Sequence, residues 1–387
     1  MPSDRLCRFA RIDRETPYAA FDLDAVEDAY DDYLTALDGR GRVQFAVKAR
    51  PEPRLLAALV RRGASLDVAS TAEIRLALQA GCPPERLSHS NIVRDEAEIA
   101  AAAELGVRLF TADSAAEITR LDRAAPGVSV LLRLACAPGG AQLPMSSRFG
   151  CGADEAVALA DLAETVGLRV AGLTWQVGSQ QTDPARWRSA IAHAARVWMI
   201  LRAKGFRGLR ILNVGGGMPA SYRLPVPSIR ECATVIRAAI GEHFGTEDLD
   251  VVVEPGRSLV AEAGITVTRV KAVLDRGERA HLVLDAGIWN AGLTECLVSG
   301  LEFPVHTLDH PAGAPTRPVV LCGPSCDPLD ELRAENPYHL PVALAPGDRL
   351  LIGSTGAYCA TMATTDFCGY PPVPQHTLTA RLTEASR

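Results

Sequence analysis

The chain of 387 residues carries a net charge of −6 and no basic run, which predicts neither nucleic acid nor an anionic membrane surface as a partner. No apolar stretch approaches the roughly 20 residues of a membrane span, and the opening MPSDRLCRFARIDRE holds no signal-peptide core. A cytoplasmic protein is expected, its ten cysteines reduced thiols rather than a disulfide framework.

After PYAAFDL, helical patterning begins near Asp24, and from Phe45 eight short apolar runs alternate with amphipathic stretches. The runs are FAVKA (45–49), SLDVAS (65–70), LSHSN (87–91), LFTAD (109–113), VSVLLRLA (128–135), GLTWQVGS (172–179), ILNVGGG (211–217) and VVVEPGR (251–257). Nearly all are bounded by turn signals and rich in β-branched or aliphatic residues, as buried parallel strands should be. The stretches between them, such as PRLLAALVRRG, TAEIRLALQAG and PSIRECATVIRAAIGEHF, repeat apolar residues at helical spacing. Several open on Asp, Ser, Thr or Pro and several close on Gly, the start and stop chemistry of helices. Strand then helix, seven times over and closing on an eighth strand, predicts a (β/α)₈ TIM barrel rather than a doubly wound sheet, which more often stops at five or six strands. From about Gly264 the helical period fades, and ITVTRVKAVLD, RAHLVLDAG, RPVVLCGPSC and GDRLLIGS alternate with turns, which predicts an all-β sandwich or small barrel. PYAAFDL could add a strand to it. The expected division is a barrel over 26–262 and a β domain built from 1–25 and 263–387.

A barrel gathers its strand ends on one face, where its chemistry occurs. Lys48 ends the first run, so its amine is expected in the barrel mouth, where desolvation would favour a neutral nucleophile suited to a Schiff base. An ion pair with Asp67 or Glu73 is the plainer reading, and the two are compatible. Gly215, Gly216 and Gly217 offer consecutive backbone N–H groups as a phosphate cradle, though a glycine triplet could equally be a tight turn. EPGR on the next strand end adds the cation Arg257 after Gly256, where barrels commonly bind phosphate. Glu254 would either pair with Arg257 or face a cationic ring nitrogen. A lysine for an imine, a phosphate cradle and a carboxylate for a pyridinium together meet the needs of pyridoxal 5'-phosphate. No metal motif competes with this reading.

The motifs FAVKA, LDVASTAEI, SSRFG, QVGS, NVGGGMP, VEPGR, GPSCDPLD, GDRLLIGSTGAY and FCGY occur in the order and spacing of a known family. From about Tyr18 to Pro372 the chain resembles the fold-type III pyridoxal phosphate decarboxylases, whose fold is an alanine racemase-like barrel followed by a β domain; within them it is nearest the ornithine branch. The resemblance implies that Lys48 bonds to the cofactor, with Asp67 and Glu73 placing it, and that Glu254 pairs with the pyridine nitrogen. It implies that Ser179, Gly215–Gly217, Arg257 and Tyr358 hold the phosphate, with Arg148 near the cofactor. It further implies a head-to-tail homodimer with shared active sites, in which Cys326 of one copy reprotonates the substrate α-carbon and Asp327 contacts the distal amine of an amino-acid substrate. The chain departs from the family at Gln176, where a histidine usually packs on the ring, and at Asn213, where an acid usually precedes the glycines. Arg50 also follows KA where a small amide is common. In GIWNAGLTECLVSGLEFP, where the ornithine enzymes carry a second aspartate, the acids are Glu295 and Glu302, out of clear register with it, and Glu295 is the candidate second substrate contact. The implied reaction is α-decarboxylation of an amino acid with a polar or basic side chain, to an amine and CO₂. A non-catalytic binding homologue and a racemase are the alternatives.

Overall fold

The computed structural model describes residues 2–144, 148–245, 247–276 and 279–380, so Ser146 and Ser147 of SSRFG lie outside the described residues. It divides into two compact units, one formed by 29–219 and 227–256, the other by the segment up to residue 28, by 220–226 and by the chain from 257 onward.

The first unit contains a closed barrel of eight parallel strands: Gly41–Ala46, Ser65–Val68, Leu87–His89, Leu109–Ala112, Ser129–Leu134, Arg169–Trp175, Ile211–Asn213 and Asp250–Val253. The last pairs with the first, Val253 opposite Val43, and the register sets Ala46 opposite Asp67 and Asp67 opposite Ser88. Phe45, Leu66, Phe110, Leu132, Leu173 and Leu212 on these strands are fully buried. Each such side chain contributes about 1.5–3 kcal/mol by leaving water. The helices start where the sequence chemistry places them. Asp95 and Glu98 close a capping box on Glu96–Glu104, Ser228 and Glu231 close another on Ile229–Phe244, and Ser70 caps Thr71–Gln79. Each satisfies amides that the first helical turn leaves orphaned.

Two local features differ from the sequence reading. The first strand ends at Ala46, and Val47–Ala49 form a 3₁₀ turn, so Lys48 stands one step beyond the strand. A short antiparallel ribbon of Ala141–Leu143 and Ser179–Gln181 also occurs, which segments as brief and polar as AQL and SQQ do not announce.

The second unit is an eight-stranded mixed sheet. Its spine is the long strand Gly264–Arg276, which pairs with Tyr18–Asp22 and Arg349–Gly353 through its first half and with Arg279–Leu284 through its second. A register shift between Val270 and Ala272 marks the change of partner, as a bulge does where a strand must bend. PYAAFDL thus supplies a strand, Tyr18–Asp22, which also pairs in parallel with Gln375–Leu378. Buried Leu282, Leu284, Ile288, Leu321, Leu350 and Ile352 belong to one hydrophobic core; Leu6, Tyr18, Ile265 and Val267 belong to a smaller one under the capped helix Asp4–Ala10.

Candidate active site

At the barrel mouth the Lys48 amine lies 3.4 Å from Oδ2 of Asp67, with the lysine side chain 52% exposed and the aspartate 2% exposed. Burial therefore does not strip Lys48 of solvent, contrary to the desolvation expected from its sequence position; a buried carboxylate orients it instead. The other oxygen of Asp67, Oδ1, is buried without a hydrogen-bond partner. Glu73 lies close to both, accepts from the Ala69 N–H at 2.7 Å and so fixes the turn after the second strand. Burial pushes its carboxyl upward, which the Ala69 bond and Lys48 partly offset.

Glu254 follows the eighth strand. Its Oε1 accepts from Asn213 Nδ2 at 2.7 Å and from Gln44 Nε2 at 3.1 Å; Gln44 also donates to Ser88 Oγ at 2.6 Å. Burial, reinforced by the charge of Asp67, raises the Glu254 carboxyl from 4.5 to about 7, against the pull of the Asn213 hydrogen bond, Lys48 and Arg133. The Pro255 carbonyl accepts from the Ala46 N–H at 3.1 Å, and Gly256 after it is buried.

The glycine loop is glycine because the backbone passes too close for a side chain. Gly215 and Gly217 have φ of +72° and +97°, and a Cβ on either would stand 2.2 Å from a carbonyl oxygen, of Trp175 and Gly178 respectively. Two of its amides are used within the chain: Gly215 N–H donates to Asn213 Oδ1 at 2.9 Å and Gly216 N–H to Gln176 Oε1 at 3.0 Å. Ser179 opens the short ribbon strand beside this loop. Arg148 is exposed and lies over the Phe149 ring at 4.9 Å, with Arg133 at 5.2 Å from the same ring.

Arg257 and Tyr358 fall in the other unit, together with Glu295. Arg257 Nη1 donates to Glu295 Oε2 at 2.7 Å and Nη2 to Oε1 at 2.5 Å, Nη1 also meets the Tyr222 hydroxyl at 3.1 Å, and the guanidinium stands 4.9 Å from the Tyr358 ring centroid. The two charged side chains are 3% and 7% exposed. Glu295, expected as a substrate contact, has both oxygens taken by Arg257. The reason is register: Glu295 opens the short helix Glu295–Ser299 facing inward, whereas Val298 on the same turn is 79% exposed.

Cys326 is an exposed free thiol in the loop after Thr316–Cys322. Asp330, the second acid of CDPLD, staples this loop: it accepts from Ile288 N–H at 2.8 Å, from Ser325 N–H at 3.0 Å and from Ser325 Oγ at 2.7 Å. Asp327 is half-buried, and among the contacts described its carboxylate accepts only a local bond, from Leu329 N–H at 2.9 Å. Sequence reasoning passed over Gln44 and Asp330. A lone amide inside the apolar strand GRVQFA and a second acid three residues after Cys-Asp were the available signals.

An amine, an under-used buried carboxylate and a second carboxyl raised to near neutrality form a donor set that fits pyridoxal phosphate. Residues 23–261 match the family model described as pyridoxal-dependent decarboxylase, pyridoxal binding domain. The chain is 31% identical over 381 residues to a lysine/ornithine decarboxylase of Selenomonas ruminantium, covering 95% of this chain and 93% of that protein. Among solved structures, a mutant of the enzyme abbreviated SrLDC, in complex with PLP, superposes with a TM-score of 0.88 at 30% identity over 98% of this chain and 96% of that one. A lysine/ornithine decarboxylase from Vibrio vulnificus, complexed with cadaverine, gives 0.87 at 27% identity over 99% and 100%.

Proposed function

The chain belongs to the pyridoxal-dependent decarboxylase family, and from that premise we propose which residues act and on what substrate. It is a pyridoxal phosphate-dependent amino-acid decarboxylase; the substrate we assign is an amino acid with a basic or polar side chain. Bound pyridoxal phosphate supplies an electron-withdrawing ring conjugated to the substrate α-carbon, which lowers the barrier to loss of CO₂. Lys48 provides the amine that attaches the cofactor, held toward it by Asp67. Glu254 would pair with the ring nitrogen and keep it protonated, held in place by Asn213 and Gln44. Gln176 and Ser179 border the glycine loop on the same barrel face.

Cys326 of a second copy delivers the proton that replaces CO₂, and Asp327 beside it receives the distal cation through a charge-assisted hydrogen bond. The observation that carries the substrate reading is exposed Cys326 beside half-buried Asp327 on a loop fixed by Asp330, while Glu295 is already committed to Arg257. One carboxylate suits one distal cation.

The test is CO₂ release from ornithine, lysine, arginine, 2,6-diaminopimelate and glutamine with cofactor in excess. A basic substrate should win, and Asp327→Asn should raise its KM more than it lowers kcat. Release from none of them would overturn the substrate reading. Mixing Lys48→Ala with Cys326→Ala protein should restore activity that neither variant has alone; no recovery would remove the shared site.

A further inference from the structure

Asn213 stands where the family usually has an acid, and its amide is used at both ends. Oδ1 accepts from the Gly215 N–H at 2.9 Å, Nδ2 donates to Glu254 Oε1 at 2.7 Å, and the Glu254 N–H returns to the Gly215 carbonyl at 2.9 Å. These bonds close a ring through side chain, glycine loop and strand end, and Asn213 is 1% exposed within it. On the other side Gln176, the second departure from the family, holds the Gly216 N–H at 3.0 Å. Two neutral amides thus bracket the loop.

An aspartate at 213 could keep the Gly215 bond but would set a second carboxylate against Glu254 at hydrogen-bond distance. Two acids so placed share one proton. An amide donates to Glu254 at every pH. The remaining charged groups facing Glu254 are Asp67, Lys48 and Arg133, with Gln44 as its other neutral donor. We propose that Asn213 is a positioning residue, orienting the Glu254 carboxylate and the glycine loop together for the cofactor without adding a second negative charge beside it. The inference rests on the reading of Glu254 as the acid that faces the cofactor ring.

Asn213→Asp and Asn213→Ser separate charge from structure. Each protein, freed of cofactor by dialysis, is titrated with pyridoxal phosphate by quenching of intrinsic fluorescence at pH 6 and pH 8. At pH 8, Asn213→Asp should bind at least about 10-fold more weakly than wild type. At pH 6 the gap should narrow to about 3-fold, because a protonated aspartic acid again donates to Glu254. Asn213→Ser, too short to reach Glu254, should bind weakly at both pH values. A gap that is equal at the two pH values, or none, overturns the proposal. If Asn213→Asp does not fold, wild-type affinity in Asn213→Ser overturns it equally. Wild type that binds no cofactor would remove the cofactor reading and the proposal with it; binding by wild type with no change in the variants removes Asn213's role alone.

Discussion

Two cation–carboxylate pairs, one in each unit, look alike in sequence and differ in what they leave unused. Arg257 and Glu295 form a saturated pair: both carboxylate oxygens are bound, the Tyr222 hydroxyl joins, and both side chains are under a tenth exposed. Lys48 and Asp67 form an open one, with a long contact of 3.4 Å, a half-exposed amine and a buried carboxylate oxygen that bonds to nothing. Leaving such an atom unsatisfied costs about 1–3 kcal/mol or more. A fold that carries this cost at a barrel mouth keeps hydrogen-bonding capacity for a ligand. A saturated buried pair keeps no such capacity on its carboxylate, a difference between the two pairs that residue type alone does not reveal.

The comparison breaks first at Lys48. Lys48→Ala should lower CO₂ release by about 10³-fold or more, the upper range for loss of a group that acts on the reacting atoms, and should abolish the cofactor absorbance that shifts on borohydride reduction. Its stability in urea should fall by about 1–3 kcal/mol, because Asp67 stays buried and loses its cation. Retention of a tenth of the activity would remove Lys48 from the reacting groups. Glu295→Gln should cost more, about 3–5 kcal/mol of stability in urea unfolding, because it leaves the Arg257 guanidinium buried against a neutral group. Asp67→Asn, its counterpart in the open pair, should change the stability of the cofactor-free protein by less than about 1 kcal/mol while weakening cofactor binding. Equal costs in the two variants would erase the distinction.

The barrel was legible because period is a local property. Each of the eight runs maps onto a strand, and Asp95, Ser114 and Ser228 cap the helices that their sequence pattern announces. The ends of elements were less so: FAVKA reads as one apolar run, yet the strand stops at Ala46 because Val47–Ala49 turn to a 3₁₀ geometry. What no local pattern contains is the pairing of distant polar groups. Arg257 and Glu295 are 38 positions apart, and Glu254 and Asn213 are 41 apart. Residue type made Glu295 a plausible substrate contact; only the inward facing of one short helix turn assigns it to Arg257. Gln44 was missed for the same reason, since its partners are Ser88 on the third strand and Glu254 just after the eighth.

Glu254 gives the comparison a pH axis. Its carboxyl is raised from 4.5 to about 7 in the folded state, so the native protein holds this proton more tightly than the unfolded chain does. The stability it contributes is whole below about 4.5 and is lost as pH rises through about 7. Between pH 5 and pH 8 the urea midpoint of the cofactor-free protein should therefore fall more in wild type than in Glu254→Gln, which has no proton to lose. Parallel falls in the two proteins would mean that Glu254 is not held protonated by its surroundings.

The smallest effect belongs to the outside of the barrel, where capacity is neither unused nor buried. Asp95 accepts the Glu98 N–H at 2.8 Å and Glu98 returns a bond to the Asp95 N–H at 3.0 Å, so the cap closes on itself at an exposed helix start. Asp95→Ala opens that box and should cost about 1 kcal/mol, the usual value of an N-cap. Among the described residues the hydrogen bonds of the Asp95 and Glu98 carboxylates stay within the cap, so KM, kcat and cofactor affinity should all stay at wild-type values. A variant that lost stability and cofactor affinity in step would show that the open pair at the mouth depends on the packing of the outer helices, and that its unused oxygen reflects strain rather than a place kept for a ligand.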